Sequence, residues 1–179
     1  MASRRKGRIL AFQALYAWEV HHSQTGNVSI PENLLDFSWA ESFDRPQDKQ
    51  SNKKQYDKDQ FDKNQPDKKQ HDKKQLDEKM TAFSRLLVSG TVENISAVDS
   101  MIREHLQNWE LERLNSVDLA VLRMSVYTLM FQAEMPPSVV IDEAIEISRQ
   151  FGTNDSYRFV NGVLDSVRKN LDHKRNQEL

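Results

Sequence analysis

An all-α protein, folded as a compact helical bundle, is what this sequence predicts, on three observations. Outside one unusual stretch, apolar residues recur at helical spacing. Ile9, Phe12, Tyr16 and Val20 form one such stripe, and Val160, Val163, Leu164, Val167 and Leu171 form another. The intervals between these stripes carry helix punctuation, with Pro31 and Pro137 placed for first turns and Gly152 for an end. The run "LAVLRMSVYTLMF", Leu119 to Phe131, is apolar almost all round, which marks a central helix packed on most sides. No stretch alternates as a half-buried strand would.

Each element follows from its own residues. Ser3 is a candidate cap for a first helix running to about His22, which "SQTGNVS" then breaks. "PENLLDFSWAESF" opens with Pro31 at a first-turn position and reads as a short second helix. From about Lys79 a long helix runs through Phe83, Leu86, Leu87, Val98, Ile102 and Leu106. "LNSVD" is a turn with Ser116 as candidate N-cap and Asp118 in the first turn of the central helix. "EMPP" stops that helix. "SVVIDEAIEISRQF" follows and should bury Val140, Ile141, Ala144, Ile145 and Ile147 or Ser148 before Gly152 ends it. Asp155 is the candidate cap of the last helix.

One stretch obeys none of these rules. "YDKDQFDKNQPDKKQHDKKQLDEK", Tyr56 to Lys79, repeats a five-residue unit, roughly x-Asp-Lys-x-Gln. A five-residue step turns a helix by about 500°, or about 140° net, so its variable positions Tyr56, Phe61, Pro66, His71 and Leu76 scatter around the axis. An odd period fails equally in a strand, because it alternates faces. Without a core face, the segment reads as solvated and mostly disordered. Pro66 and Asp67 nevertheless suit a helix start, which would extend the long helix backwards. The resulting division is 1–46, an N-terminal helical part; 47–79, the low-complexity insert; 80–171, the remaining helices; and 172–179, a tail. Over 47–79, ten Lys against seven Asp and one Glu make the insert only weakly basic.

Composition excludes several classes of chemistry. With 179 residues the chain has room for one domain, or one domain plus a tail. It has no cysteine, hence no disulfide, thiolate metal site or Cys nucleophile. The start is basic and then apolar, like a signal peptide, but Gln13, Tyr16 and Glu19 interrupt the apolar part at helical spacing. No run approaches a membrane span, and the expected location is the cytoplasm. There is no phosphate-cradling glycine loop and no His-based metal motif, so no cofactor and no metal are expected. Asp142, Glu143 and Glu146 fall on the polar side of their helix, with Arg149 three residues beyond Glu146, and read as a solvated face. No nucleophile–base arrangement can be built, and no catalytic residue is assigned.

Three positions stand out. Arg123 lies inside the apolar central helix and needs a buried partner, for which Glu143 is the expected residue. Gly162 sits mid-helix, so either another helix approaches closely there or a ligand does, with helix packing the preferred reading. The net charge of −2 hides a cluster of Arg4, Arg5, Lys6 and Arg8 without an acid among them. Cations at a helix N-terminus oppose the macrodipole by about 0.3–1 kcal/mol each. They make sense if an anion compensates, and a phosphodiester backbone is the obvious one.

Several strings resemble one family. "RRKGRILAFQALYAWE" is similar to the opening helix of NusB-type transcription antitermination factors, and "VDLAVLRMSVYTL" to their central helix. "PPSVVIDEAIEISRQFGTNDSYRFVNGVLDSV" resembles their last two helices. The resemblance implies two small three-helix subdomains. It also implies binding of single-stranded boxA RNA in ribosomal RNA leaders, as a heterodimer with the ribosomal protein NusE, within an RNA polymerase antitermination complex. Carried over by position, the RNA face is Arg4, Arg5 and Arg8, with Tyr16 and Trp18, and Asp155, Ser156 and Arg158. The implied partner face is Asp118, Leu119 and Leu122. The alternatives are an RNA-binding module like those preceding ribosomal RNA methyltransferase domains, and a helical protein-interaction module that binds no RNA.

Overall fold

The structure, a computed structural model, describes residues 2–26, 28–37, 39–40, 66–107 and 109–177. Its helices are α1 (Ala2–Thr25), α2 (Glu32–Asp36), α3 (Pro66–Glu93), α4 (Ile95–His105), α5 (Ser116–Phe131), α6 (Pro137–Phe151) and α7 (Ser156–Gln177). A 3-10 turn, Leu111–Arg113, lies between α4 and α5. Among the described residues there is no strand, as the apolar spacing predicts.

α5 is the axis. Every residue from Asp118 to Leu129 is buried, and the helix touches α1, α3, α4, α6 and α7. A helix apolar all round can bury its surface only in such a position. α1 and α2 pack on α3, while α4, α6 and α7 close the other sides. Ala11, Phe12, Ala14, Leu15 and Trp18 fix the buried face of α1, and Val160, Val163, Leu164 and Val167 that of α7. Two glycines let helices approach. At Gly90 on α3 an added Cβ would collide with the Tyr127 ring and hydroxyl of α5. At Gly7 on α1 a Cβ would lie 2.9 Å from Phe83 of α3.

Several boundaries differ from the expected ones, each for a local reason. Ser3 lies within the first turn of α1 rather than at its cap. α1 also continues past His22, because Thr25 Oγ1 donates to the His21 carbonyl at 2.8 Å and Gly26, with φ 69°, supplies the left-handed stop. Pro31 occupies the N-cap position of α2, one residue before the helix. The single long helix is two helices. Asn94, with φ −106° and ψ 19°, turns its side-chain amide back onto the Gly90 carbonyl at 2.8 Å, and the chain restarts as α4. Leu86, expected on the buried stripe, is exposed, whereas Leu87 is enclosed.

The cap of α5 is Asn115, not Ser116. Its side-chain oxygen accepts from the Asp118 N–H at 2.9 Å, and its amide donates to the Asp118 carboxylate at 2.6 Å. α7 runs through most of the expected tail. Arg168 ties Asp165 and Asp172 at 2.8 and 3.1 Å, and Lys174 and Arg175 stand where cations complement the helix dipole. α3 begins at Pro66, so the second half of the repeat is helical. Residues 41–65, and with them the expected disorder of the first half, lie outside the described residues.

Arg123 does have buried partners, but Glu143 is not one of them. Its Nε and Nη2 donate to Asp99 of α4, both at 2.8 Å, and its Nη1 pairs with Glu19 of α1. The guanidinium also lies 5.7 Å from the Trp18 ring. Burial pulls its pKa down, but the hydrogen bonds and charges of Asp99 and Glu19 outweigh that and hold it above the ordinary arginine value. The triad joins three helices in one polar knot beneath the apolar core.

Candidate nucleic-acid interface

The first turns of α1 present Arg4, Arg5 and Lys6 to solvent. Gly7 interrupts the basic run because that position faces α3, where Ser84 Oγ donates to the Gly7 carbonyl at 2.9 Å. Arg4 and Arg8 lie over the Phe83 ring, at 5.9 and 5.5 Å. Arg8 differs from its neighbours in being only 5% exposed. Its Nη2 has no hydrogen-bond partner among the described residues. Burial holds the Arg8 pKa below its ordinary value, Glu143 works against that shift, and Arg4 adds to it. Glu143 of α6 is thus the acid whose charge acts on Arg8.

The start of α7 is built by a short hydrogen-bonded loop. Gly152 lets α6 and α7 meet, since a Cβ there would lie 2.6 Å from both the Ser148 carbonyl and Ser156. The Thr153 N–H donates to Ser156 Oγ at 2.9 Å, closing the loop onto the first residue of α7. Ser156 is therefore buried and engaged, and supports the loop rather than facing solvent. Asp155 carries the N-cap position through its carbonyl, which accepts from the Arg158 and Phe159 N–H groups. Its carboxylate is exposed and lies 3.6 Å from Arg158.

α6 joins the two arms. Glu146 Oε2 lies 3.4 Å from Arg5 Nη2, and Glu146 Oε1 accepts from Arg149 Nη1 at 2.9 Å. The Arg149 guanidinium sits 4.9 Å from the Tyr157 ring, and Arg158 sits 5.5 Å from the same ring while donating to its hydroxyl at 2.9 Å. A continuous polar strip, Arg5–Glu146–Arg149–Tyr157–Arg158–Asp155, thereby links segments at opposite ends of the sequence. Glu146, Arg149 and Tyr157 are not among the residues that sequence reasoning assigned to the face. The only sequence signal was the i,i+3 spacing of Glu146 and Arg149, which reads equally well as a solvated helix side.

The remaining assigned residues separate cleanly. Tyr16 is 40% exposed and contacts Phe12, which in turn packs on Phe151 at the end of α6. Trp18 is enclosed, with Nε1 donating to the Val28 carbonyl at 3.2 Å, and belongs to the core. Leu122 and Leu119 are enclosed by the bundle, so neither presents a broad face. Asp118 is buried with one carboxylate oxygen capped by Asn115 and the other, Oδ1, without a hydrogen-bond partner among the described residues. Gly162 is not a close-packing site. An added Cβ there would meet nothing within 4 Å, because the buried stripe of α7 runs along Val160, Val163, Leu164 and Val167 on another side.

The strip offers exposed guanidiniums beside aromatic rings, the combination that holds phosphates and stacks bases. Among the described residues no group of His, Cys, Asp and Glu could hold a metal ion. No helix among them is long and apolar enough to cross a membrane.

A model of the NusB family matches residues 43–169. The chain is 43% identical over 165 residues to the transcription antitermination protein NusB of Treponema denticola, covering 92% of this chain and 95% of that one. It is 46% identical over 166 residues to the same-named protein of Borreliella burgdorferi, covering 92% and 93%. Among solved structures, T. maritima NusB superposes with TM-score 0.62 at 32% identity, over 93% of this chain and 90% of that one. NusB from a complex of the antitermination factors NusB and NusE with double-stranded RNA has the same fold, with TM-score 0.65 at 22% identity and coverage of 94% and 98%. The family model over most of the chain and the match over nearly the full length of these relatives place the chain in one family: it belongs to the NusB family.

Proposed function

We propose that this chain is a non-enzymatic, cytoplasmic RNA-binding factor of transcription antitermination. It recognises boxA-type single-stranded RNA in ribosomal RNA leaders together with NusE, within the RNA polymerase antitermination complex. The observation that carries this reading is the convergence of the α1 arginines and the start of α7 on one strip. The two segments that family resemblance assigns to RNA are joined there through Glu146, Arg149 and Tyr157. Arg5 and Arg158 on this strip, with Arg4 beside it on α1, are the phosphate-facing groups, and Asp155 and the exposed Tyr16 are the candidates for bases. Arg8 acts from beneath as a buried charge. Asp118, at the start of α5, marks the NusE side, with Leu119 and Leu122 supporting it from inside.

A filter-binding titration with boxA-type RNA, with and without NusE, tests the reading. Salt-sensitive binding that NusE strengthens is the expected result. No RNA binding, with or without NusE, would leave only a protein-interaction bundle.

A further inference from the structure

Glu146 stands where guanidiniums from two helices converge on the polar strip. Arg5 reaches it from α1 and Arg149 from α6, at 3.4 and 2.9 Å on its two different oxygens. Two guanidiniums from separate helices gripping one carboxylate reproduce the coordination that a phosphate receives. All three side chains are about half exposed, at 49% for Arg5, 55% for Arg149 and 44% for Glu146. Exposed ion pairs of this kind change an equilibrium by about fivefold at most, so another anion can displace the carboxylate.

One further contact braces the site. Arg149 is braced from its other side by the Tyr157 ring, so its guanidinium has an anchor independent of Glu146. One turn along, Arg8 of α1 is buried with Nη2 unpartnered, and Glu143 of α6, whose charge acts on Arg8, has its Oε2 atom enclosed and unpartnered, among the described residues. α1 and α6 therefore carry positive charge that their own carboxylates leave incompletely hydrogen-bonded.

We infer that Arg5 and Arg149 form a phosphate subsite that Glu146 occupies in the free chain and that an RNA phosphate takes over on binding. Arg149 is then a phosphate-binding residue contributed by α6, and Glu146 is an internal competitor that sets affinity. The inference rests on the RNA-binding reading above.

The test is a salt series of RNA titrations on the full chain, using single-stranded boxA-type RNA with the unmodified protein, Arg149→Gln, Glu146→Gln and the double variant. Arg149→Gln should weaken binding severalfold and reduce the slope of log K against log salt by about 0.7. Glu146→Gln should tighten binding by up to about fivefold. The double variant should lose most of that gain, since the released arginine is gone. An unchanged slope in Arg149→Gln overturns the subsite. Weaker binding by Glu146→Gln overturns the competitor role, because the carboxylate would then be positioning the arginines productively. An unmodified chain without salt-sensitive binding refutes the RNA-binding reading itself, whereas unmodified binding with indifferent variants refutes the subsite alone.

Discussion

Replacing Arg123 by Met tests what the buried triad contributes. The side chains of Arg123, Asp99 and Glu19 are 8%, 12% and 14% exposed. Removing the guanidinium leaves two carboxylates in a largely dry site without the cation they share. Breaking a buried pair from one side costs about 3–5 kcal/mol. At about 2–4 °C per kcal/mol for a chain of this size, the melting temperature should fall by about 6–20 °C. Circular dichroism melts measure it. The control is Arg168→Met on α7, where the arginine is 35% exposed and its partners 39% and 45%. That change should stay within about 1 kcal/mol. A triple variant that also makes Asp99 and Glu19 apolar should recover much of the loss, because the harm comes from uncompensated charge rather than lost attraction. If Arg123→Met melted no lower than Arg168→Met, the triad would not be a structural knot.

Three other outcomes follow from the geometry. Arg4→Ala with Arg5→Ala should lower the salt slope of RNA binding by about 1.4, or 0.7 per lost contact, without shifting the melt, whereas Arg8→Ala should lower the melting temperature because that side chain is buried. Asn115→Ala should destabilise by about 1 kcal/mol in urea titrations, and Ser116→Ala by less than about 0.5, since Asn115 holds the cap. Deleting Lys49–Gln75, which takes the first ten residues of α3 with it, should leave both the melt and RNA affinity within about 1 kcal/mol, as the length of a connection enters only logarithmically and the five-residue repeat gives that helical stretch no core face; loss of folding or a tenfold loss of affinity would assign the repeat a function.

What the sequence discloses here divides by range. The central helix, the buried stripe of α7 and the stop at Gly152 rest on spacing within one element, and spacing is visible in a string of letters. Errors of a residue or two arise where two short polar side chains compete. Asn115 and Ser116 both suit a cap, and only the backbone angles of Asn115, φ −66° and ψ 149°, settle which is outside the helix. Contacts far apart in sequence are a different matter. Arg123 finds Asp99 24 positions away and Glu19 104 positions away, while Arg5 meets Glu146 across 141. Nothing local distinguishes Glu143 from Asp99 as a partner for a buried arginine, because both sit on helices with a polar side.

The candidate site repeats that lesson in a sharper form. Of the residues carried over by position, Arg4, Arg5, Arg158 and Asp155 are exposed, whereas Arg8, Trp18 and Ser156 are enclosed by the bundle. An aromatic or hydroxyl side chain suits a nucleic-acid face and a core equally well, and one position of helical rotation separates the two. Tyr16 and Trp18 show it: two residues apart on α1, they lie about 200° around the axis, so only one can face outward. The residues that tie the strip together, Glu146, Arg149 and Tyr157, carry the opposite ambiguity. Each is an ordinary surface residue for its helix, and acquires meaning only because α6 and α7 turn back at Gly152 and set Arg149 against Tyr157. A strip made from three helices is thus specified by the packing of those helices, and the glycine that permits the turn shapes the strip as much as the arginines do.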